Sequence, residues 1–339
     1  MALATLWFWL VAVLWVGFFV LEGFDLGVGA LHAVVGRTDA ERRAAIDTIG
    51  PFWDGNEVWL VVAAAGMFAA FPGWYATMFS GFYLLFAVVL AALIARGVSF
   101  EFRGKFDGTR WRGTWDVSMS VGSLVVAAGL GVALGDLLHG VPIDQNQEFT
   151  GSLADVLQPY ALYTGLTLVM LCLVHGSTFL ALTTGGVVRT RARRLAARTA
   201  PAAGLVVLGF VIWTRISEDK GVLISPLEAC AILAVFAAAW LASETREGWA
   251  FVATTVALAT TVASIFVDLY PRVMVSSTNS AYSLTVDNTA SGSYALKVMT
   301  IVAVVLLPVV LFYQGWSYHI FHRRVTRREP IETASVPQS

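Results

Sequence analysis

Residues 3–35 are almost wholly apolar, and the same pattern returns along the chain: long apolar runs parted by short polar stretches. A helix needs about 20 mainly apolar residues to cross the hydrocarbon core of a bilayer. Nine runs answer to that description, at 3–35, 52–71, 75–96, 116–138, 160–184, 202–215, 226–242, 249–270 and 294–320. The sixth, "AAGLVVLGFVIW", is the shortest. The pattern predicts an all-α integral membrane protein with one transmembrane domain over 1–321 and a mobile tail over 322–339. The first run has no basic residues ahead of it and no small-residue cleavage site, so it reads as a retained span and not as a signal peptide. Two longer connections, 139–159 and 271–293, are too small for a soluble domain.

Lysine and arginine orient the spans, because short cytoplasmic loops are enriched in both. With the N-terminus outside, 18 of the 22 basic residues fall in inner segments. These include Arg37, Arg42 and Arg43, then Arg96 to Arg112, then the Arg189–Arg198 run, Arg246, and Arg323 to Arg328 in the tail. Arg215, Lys220, Arg272 and Lys297 fall outside. The asymmetry predicts an outside N-terminus and a cytoplasmic C-terminus. Trp7, Trp9, Trp111, Trp115, Trp249 and Trp316 fall near span ends, as interfacial anchors do.

Composition agrees. Hydrophobic residues make up 57% of the 339 and charged residues only 13%, against roughly 25% charged in a soluble domain. A net charge of -1 gives no reason to expect a nucleic-acid partner. Cys172 and Cys230 lie in apolar segments and read as small buried hydrophobes. No nucleotide-binding loop, CxxC pair or metal-ligand motif is present. Of the five histidines only His175 lies well inside a predicted span, with no obvious second ligand facing it.

The candidate chemistry is carboxylate. "LEGFDLGVGALHAVVG", 21–36, puts Glu22 and Asp25 three residues apart inside an apolar run, hence on one helix face. Ionisable groups at membrane depth usually mark an ion or proton path or pair with a buried cation; both readings stand. Gly23 and Gly27 form a small-xxx-small pair that lets another helix come close. A second group, "GPFWDGNEVWL", follows a short helix opened by the capping box Thr38–Glu41. It brings Trp53, Asp54, Asn56 and Glu57 to the start of span two, where the helix dipole also favours negative charge. Consecutive antiparallel spans would let the four acids line one inward-opening path. In "ARGVSFEFRGK", Arg96 and Glu101 follow. Arg96 reads equally as a neutralising partner for those acids and as a positive-inside flank.

"GFDLGVG", "GPFWDGNEVWL", "FSGFYLLF", "RGVSFEFR", "RWRGTWD" and the stretch 276–299 together resemble subunit II of cytochrome bd-type quinol oxidases, over nearly the whole chain. The resemblance implies a bacterial cytoplasmic-membrane complex that oxidises quinol and reduces oxygen to water. It implies a larger subunit I holding two haems b and haem d, and a pseudo-symmetric subunit II of two four-helix units plus one helix. In some members a structural quinone or small accessory subunits are present. By resemblance Asp25 and Asp54 match acids of a cytoplasmic proton path, Trp53 its neighbouring aromatic, and Arg96 and Glu101 a basic and an acidic position. Glu57 stands where the family often has Gln. With 19 Arg against 3 Lys, a GC-rich genome is indicated, and from it menaquinol over ubiquinol as donor. The competing reading is a proton-coupled secondary transporter, which would place matching broken helices in both halves; the buried acids sit in the first half alone.

Overall fold

The computed structural model describes residues 2–217 and 223–320. The tail 322–339, with Arg323, Arg324, Arg327 and Arg328, and Lys220 lie outside the described residues. The chain folds as α1 (Ala2–Val35), α2 (Asp39–Asp47), α3 (Trp53–Ala70), α4 (Pro72–Gly81), α5 (Tyr83–Phe102) and α6 (Thr109–His139). After these come α7 (Leu153–Val156), α8 (Pro159–Thr183), α9 (Gly186–Ser217), α10 (Pro226–Ser243), α11 (Glu247–Leu269), α12 (Val286–Thr289) and α13 (Ser293–Ile320). A two-stranded antiparallel ribbon, β1 (Arg272–Met274) with β2 (Leu284–Thr285), precedes α12.

Eight described helices are long and apolar enough to cross a membrane: α1, α5, α6, α8, α9, α10, α11 and α13. The predicted second span is α3, a helix of 18 residues whose opening turns carry Asp54, Asn56 and Glu57. Those polar residues set it apart from the other eight.

The predicted third span, 75–96, is not one helix. It breaks at Phe82, whose φ of −98° and ψ of 21° lie outside helical values, so α4 ends and α5 begins there. Apolar composition carries straight through this point, and hydropathy cannot register the break. Gly81 backs onto the Phe149 ring, where a Cβ would come within 2.7 Å of it. The sixth span also differs. The arginine run predicted as a loop is helical, so α9 extends over 32 residues with Pro201 inside it.

Local signals account for several ends. Thr38 accepts from the Glu41 amide, and Glu41 accepts from the amides of Thr38 and Arg37, closing the predicted capping box of α2. The Arg37 amide, with Arg191 and Thr38 adding to it, holds the Glu41 carboxyl below the usual glutamate range. Pro159 and Pro226 open α8 and α10 at first-turn positions, where a missing amide proton costs no helix bond.

α1 is the spine. It packs on α3, α6, α8 and α11, and α8 in turn lies between α6 and α9. α8, α9, α10 and α11 contact one another in a second group. Gly27 permits the α1–α8 contact: a Cβ there would overlap the Cys172 carbonyl and sit 2.8 Å from Gly176. The small-xxx-small face thus turns toward α8. α13 lies at the edge, with Leu296 its one buried residue. Trp7 is buried and donates to Thr300 of α13 at 3.0 Å. The two longer connections pack on each other through a Val141–Ser276 bridge and a 2.8 Å bond from Ser276 Oγ to the Ile143 carbonyl.

Candidate functional site

One stripe of α1 carries Glu22, Asp25, Gly29 and His32, spaced three, four and three residues apart. That is the spacing of residues that stack on one helical face. Gly23 and Gly27 point to α8, so the acid stripe faces α3, α5 and α6. Glu22 and Asp25 have no solvent exposure at all.

Arg96, also wholly buried, comes from α5 to meet them. Its Nη1 lies 2.7 Å from Glu22 Oε1 and 3.3 Å from Glu57 Oε2. Its guanidinium sits 5.5 Å from the Phe100 ring, which stacks on Trp53 at 4.6 Å and an interplanar angle of 8°. Of the two readings left open for Arg96, the structure selects the buried partner of the acids.

Asn56 is the hub of the group. Its amide nitrogen donates to Asp25 Oδ2 at 2.7 Å and to the Leu21 carbonyl at 3.2 Å. Its amide oxygen accepts from Gln314 Nε2 at 2.8 Å and from the Tyr318 hydroxyl at 2.9 Å. Both donors are on α13. All the hydrogen-bonding capacity of one amide is used, and the acceptors Asp25 and Leu21 leave only one orientation for it. Several polar atoms beside it are buried with their hydrogen-bonding capacity not fully used, among them the second Glu22 carboxyl oxygen and Arg96 Nε and Nη2. Buried polar groups in this condition are commonly met by internal water.

The structure therefore brings together Glu22, Asp25, Asn56, Glu57 and Arg96, with Trp53 alongside. It leaves Asp54 and Glu101 on the surface, Asp54 in the first turn of α3 and Glu101 at the end of α5. Glu57 is intermediate, its side chain 23% exposed, and so links the buried group to the surface.

Sequence reasoning missed three things. Gln314 and Tyr318 lie 258 and 262 residues from Asn56, and nothing local announces them. Asp136 of α6 is fully buried, with Oδ1 accepting from Gln158 at 2.8 Å. His32, near the end of α1, is as buried as His175 and is bonded to Asp116 at 3.1 Å. The heptad step from Asp25 to His32 is a signal that pointed to it.

Haem ligation does not fit these histidines. His175 has Nε2 on the Val20 carbonyl at 3.1 Å and Nδ1 on Thr254 Oγ1 at 2.7 Å, with Phe251 stacked on its ring at 4.6 Å. Both nitrogens of His32 are engaged as well. Among the described residues no group of three or more His, Cys, Asp or Glu side chains has the placement of a metal site.

The family profile for cytochrome bd terminal oxidase subunit II matches residues 3–321. The chain is 46% identical over 334 residues to cytochrome bd ubiquinol oxidase subunit 2 of Bacillus subtilis, covering 97% of this chain and 99% of that one. It is 36% identical over 368 residues to cytochrome bd-I ubiquinol oxidase subunit 2 of Escherichia coli K12, covering 96% of each. Among solved structures, a chain of the bd oxidase from Geobacillus thermodenitrificans shares the fold, with a TM-score of 0.74 at 17% identity over 94% of this chain and 99% of that chain.

Proposed function

Because the chain belongs to the cytochrome bd terminal oxidase subunit II family, a family of multi-pass bacterial membrane proteins in a respiratory oxidoreductase, we propose that it supplies part of the proton route by which that complex reduces oxygen. Membership implies haems in the complex; in this reading they sit in a larger subunit I beside this chain. They would supply the oxygen chemistry there. The donor is a quinol, with menaquinol favoured by the arginine-rich composition. The route opens to the cytoplasm, with nine crossings and an outside N-terminus.

The observation that carries the proposal is the buried group around Asp25. Glu22 and Glu57 share one guanidinium, that of Arg96, and Asp25 lies beside them, held by Asn56. Leaving all three ionised at membrane depth would bury excess negative charge, which is strongly unfavourable, so the group holds exchangeable protons. Asp54 and Glu101 stand at the surface as collecting groups, and Glu57 passes protons inward. Arg96 holds Glu22 and Glu57 toward each other, and Asn56 fixes the Asp25 carboxyl beside Glu22. Protons consumed from the cytoplasm, with release from quinol on the other side, charge the membrane without a pump cycle.

Family membership leaves the transporter reading without support. Asp25→Asn in the assembled complex tests the proposal. It keeps shape and polarity, removes the exchangeable proton, and is expected to slow oxygen consumption per haem by at least about tenfold, the scale of a lost proton-transfer group. Wild-type turnover with wild-type pH dependence would reject it. Reduced complex yield at wild-type turnover per haem would instead mark these acids as an assembly element.

A further inference from the structure

A second charged group lies two turns further along α1, on the same stripe as Asp25. His32 is fully buried, and both ring nitrogens face acceptors: Nδ1 the Gly29 carbonyl at 2.7 Å, Nε2 the Asp116 carboxylate at 3.1 Å. Asp116 Oδ1 also takes Arg103 Nε at 2.6 Å, and its Oδ2 takes Arg42 Nη1 at 3.0 Å. Two guanidiniums on one carboxylate leave it no reason to carry a proton. A ring with an acceptor at each nitrogen matches the doubly protonated imidazolium, which donates from both.

The charged groups facing His32 are Asp116 from α6, Arg103 from the end of α5 and Arg42 from α2. Arg191 of α9 is turned away to Glu41 and the Val35 carbonyl.

The space between His32 and Asp25, about 10 Å along the helix axis, is polar. Ser120 of α6 donates to the same Gly29 carbonyl at 3.2 Å. Ser123, one turn further along α6, is buried with no partner for its hydroxyl. It rests directly against Gly29, where any side chain would collide with its Oγ. Asp25 lies one turn of α1 beyond Gly29, and Arg96 of α5 packs on Gly122, the neighbour of Ser123, where a Cβ would come 3.1 Å from the Arg96 Cβ. Three helices thus set polar and charged groups along one side of α1: His32 and Asp25 of α1, Arg96 of α5 with Arg103 just past its end, and Asp116, Ser120 and Ser123 of α6.

We propose that His32 is an additional proton-binding residue that feeds the Glu22–Asp25 pair through Ser123, by a branch separate from the Asp54–Glu57 surface. The proposal rests on the proton-route reading above. His32 gives up the Nδ1 proton, which crosses by internal water beside Ser123 and ends on a carboxylate of the Asp25 group. The ring is left neutral, its Nε2–H still donated to Asp116. It regains the Nδ1 proton from cytoplasmic water beside the half-buried Ser120. No electron moves in these steps.

The test is the pH profile of oxygen consumption per haem by the whole complex, in wild type, Asp25→Asn, His32→Gln and Ser123→Ala. Loss of the branch leaves uptake dependent on bulk proton concentration at the other mouth. His32→Gln and Ser123→Ala are therefore expected to approach wild-type turnover at the acid end and fall about tenfold at the alkaline end. Ser123→Ala leaves every ion pair in place, so it decides the matter alone if His32→Gln assembles poorly. Wild-type pH profiles in Ser123→Ala and in any assembled His32→Gln, beside a slow Asp25→Asn, overturn the His32 branch and leave the acid pair standing. Wild-type turnover in Asp25→Asn overturns the underlying reading and the branch with it.

Discussion

At the scale of single residues, Asn56 is the most constrained side chain at the site. Its four hydrogen bonds reach Asp25, the backbone of α1 and two side chains of α13. Asn56→Leu keeps the volume but strands four polar groups, each costing about 1–3 kcal/mol when buried without a partner. The expected result is a lower melting midpoint of the complex together with slowed oxygen consumption per haem. Asn56→Asp is expected to be as harmful for a different reason, since it replaces the donor to Asp25 with a second carboxylate. If melting and turnover both stayed at wild-type values in Asn56→Leu, the assignment of Asn56 as the residue positioning Asp25 would be wrong. Arg96 belongs to the same scale: a buried cation has little to offer stability in itself, but removing it would leave its carboxylates unpaired, the costlier condition.

At the scale of elements, α1 divides its two faces between tasks. Gly23 and Gly27 bring α8 into close contact while Glu22, Asp25 and His32 look the other way. The site's geometry therefore depends on a face that holds none of its chemistry. Gly27→Val drives a side chain into the Cys172 carbonyl and the Gly176 backbone, neither of which can rotate aside. The strain is expected to exceed the roughly 1–3 kcal/mol of ordinary overpacking, with loss of assembled complex on detergent gels. Gly66→Ala is the control: its Cβ would meet only the tips of Leu14 and Val11 at 3.5 Å and 3.6 Å, and it should assemble. Equal assembly of Gly27→Val and Gly66→Ala would remove the argument for α1–α8 contact as the scaffold of the site.

At the scale of the whole molecule, the two groups of helices are joined along α1, α6 and α8 and again by the two longer connections beyond the helix ends. Ser276 is the knot in that second junction. Its hydroxyl donates to the Ile143 carbonyl and accepts the Thr278 and Asn279 amides at 3.3 Å and 3.4 Å. Ser276→Val is expected to lower the melting midpoint by the loss of about 1–3 kcal/mol, with turnover per haem unchanged in complex that remains folded. Slowed turnover there would mean the junction transmits to the buried acids, which the packing gives no route for. At the opposite end of the molecule, Arg189 holds Glu247 through two 2.8 Å bonds, tying α9 to α11.

What the sequence determined by itself is whatever depends on neighbours in the chain. The apolar runs placed nearly every crossing helix. The capping box at Thr38 and Glu41 closed as read, and the three-residue step from Glu22 to Asp25 put both on one buried stripe. Helical periodicity is local, so residues a few positions apart disclose their common face. Even His32 was within reach of that logic, one heptad beyond Asp25. The tertiary structure alone decided which faces meet. It turned Asp54 outward and Asn56 inward on the same helix, broke the third apolar run at Phe82, and delivered Gln314 and Tyr318 to Asn56 from the far end of the chain. It also made Arg96 a buried partner where the chain offered equally a membrane flank. Those outcomes follow from how helices cross and how closely glycine lets them approach, and a linear pattern of apolar and polar residues holds no record of a crossing.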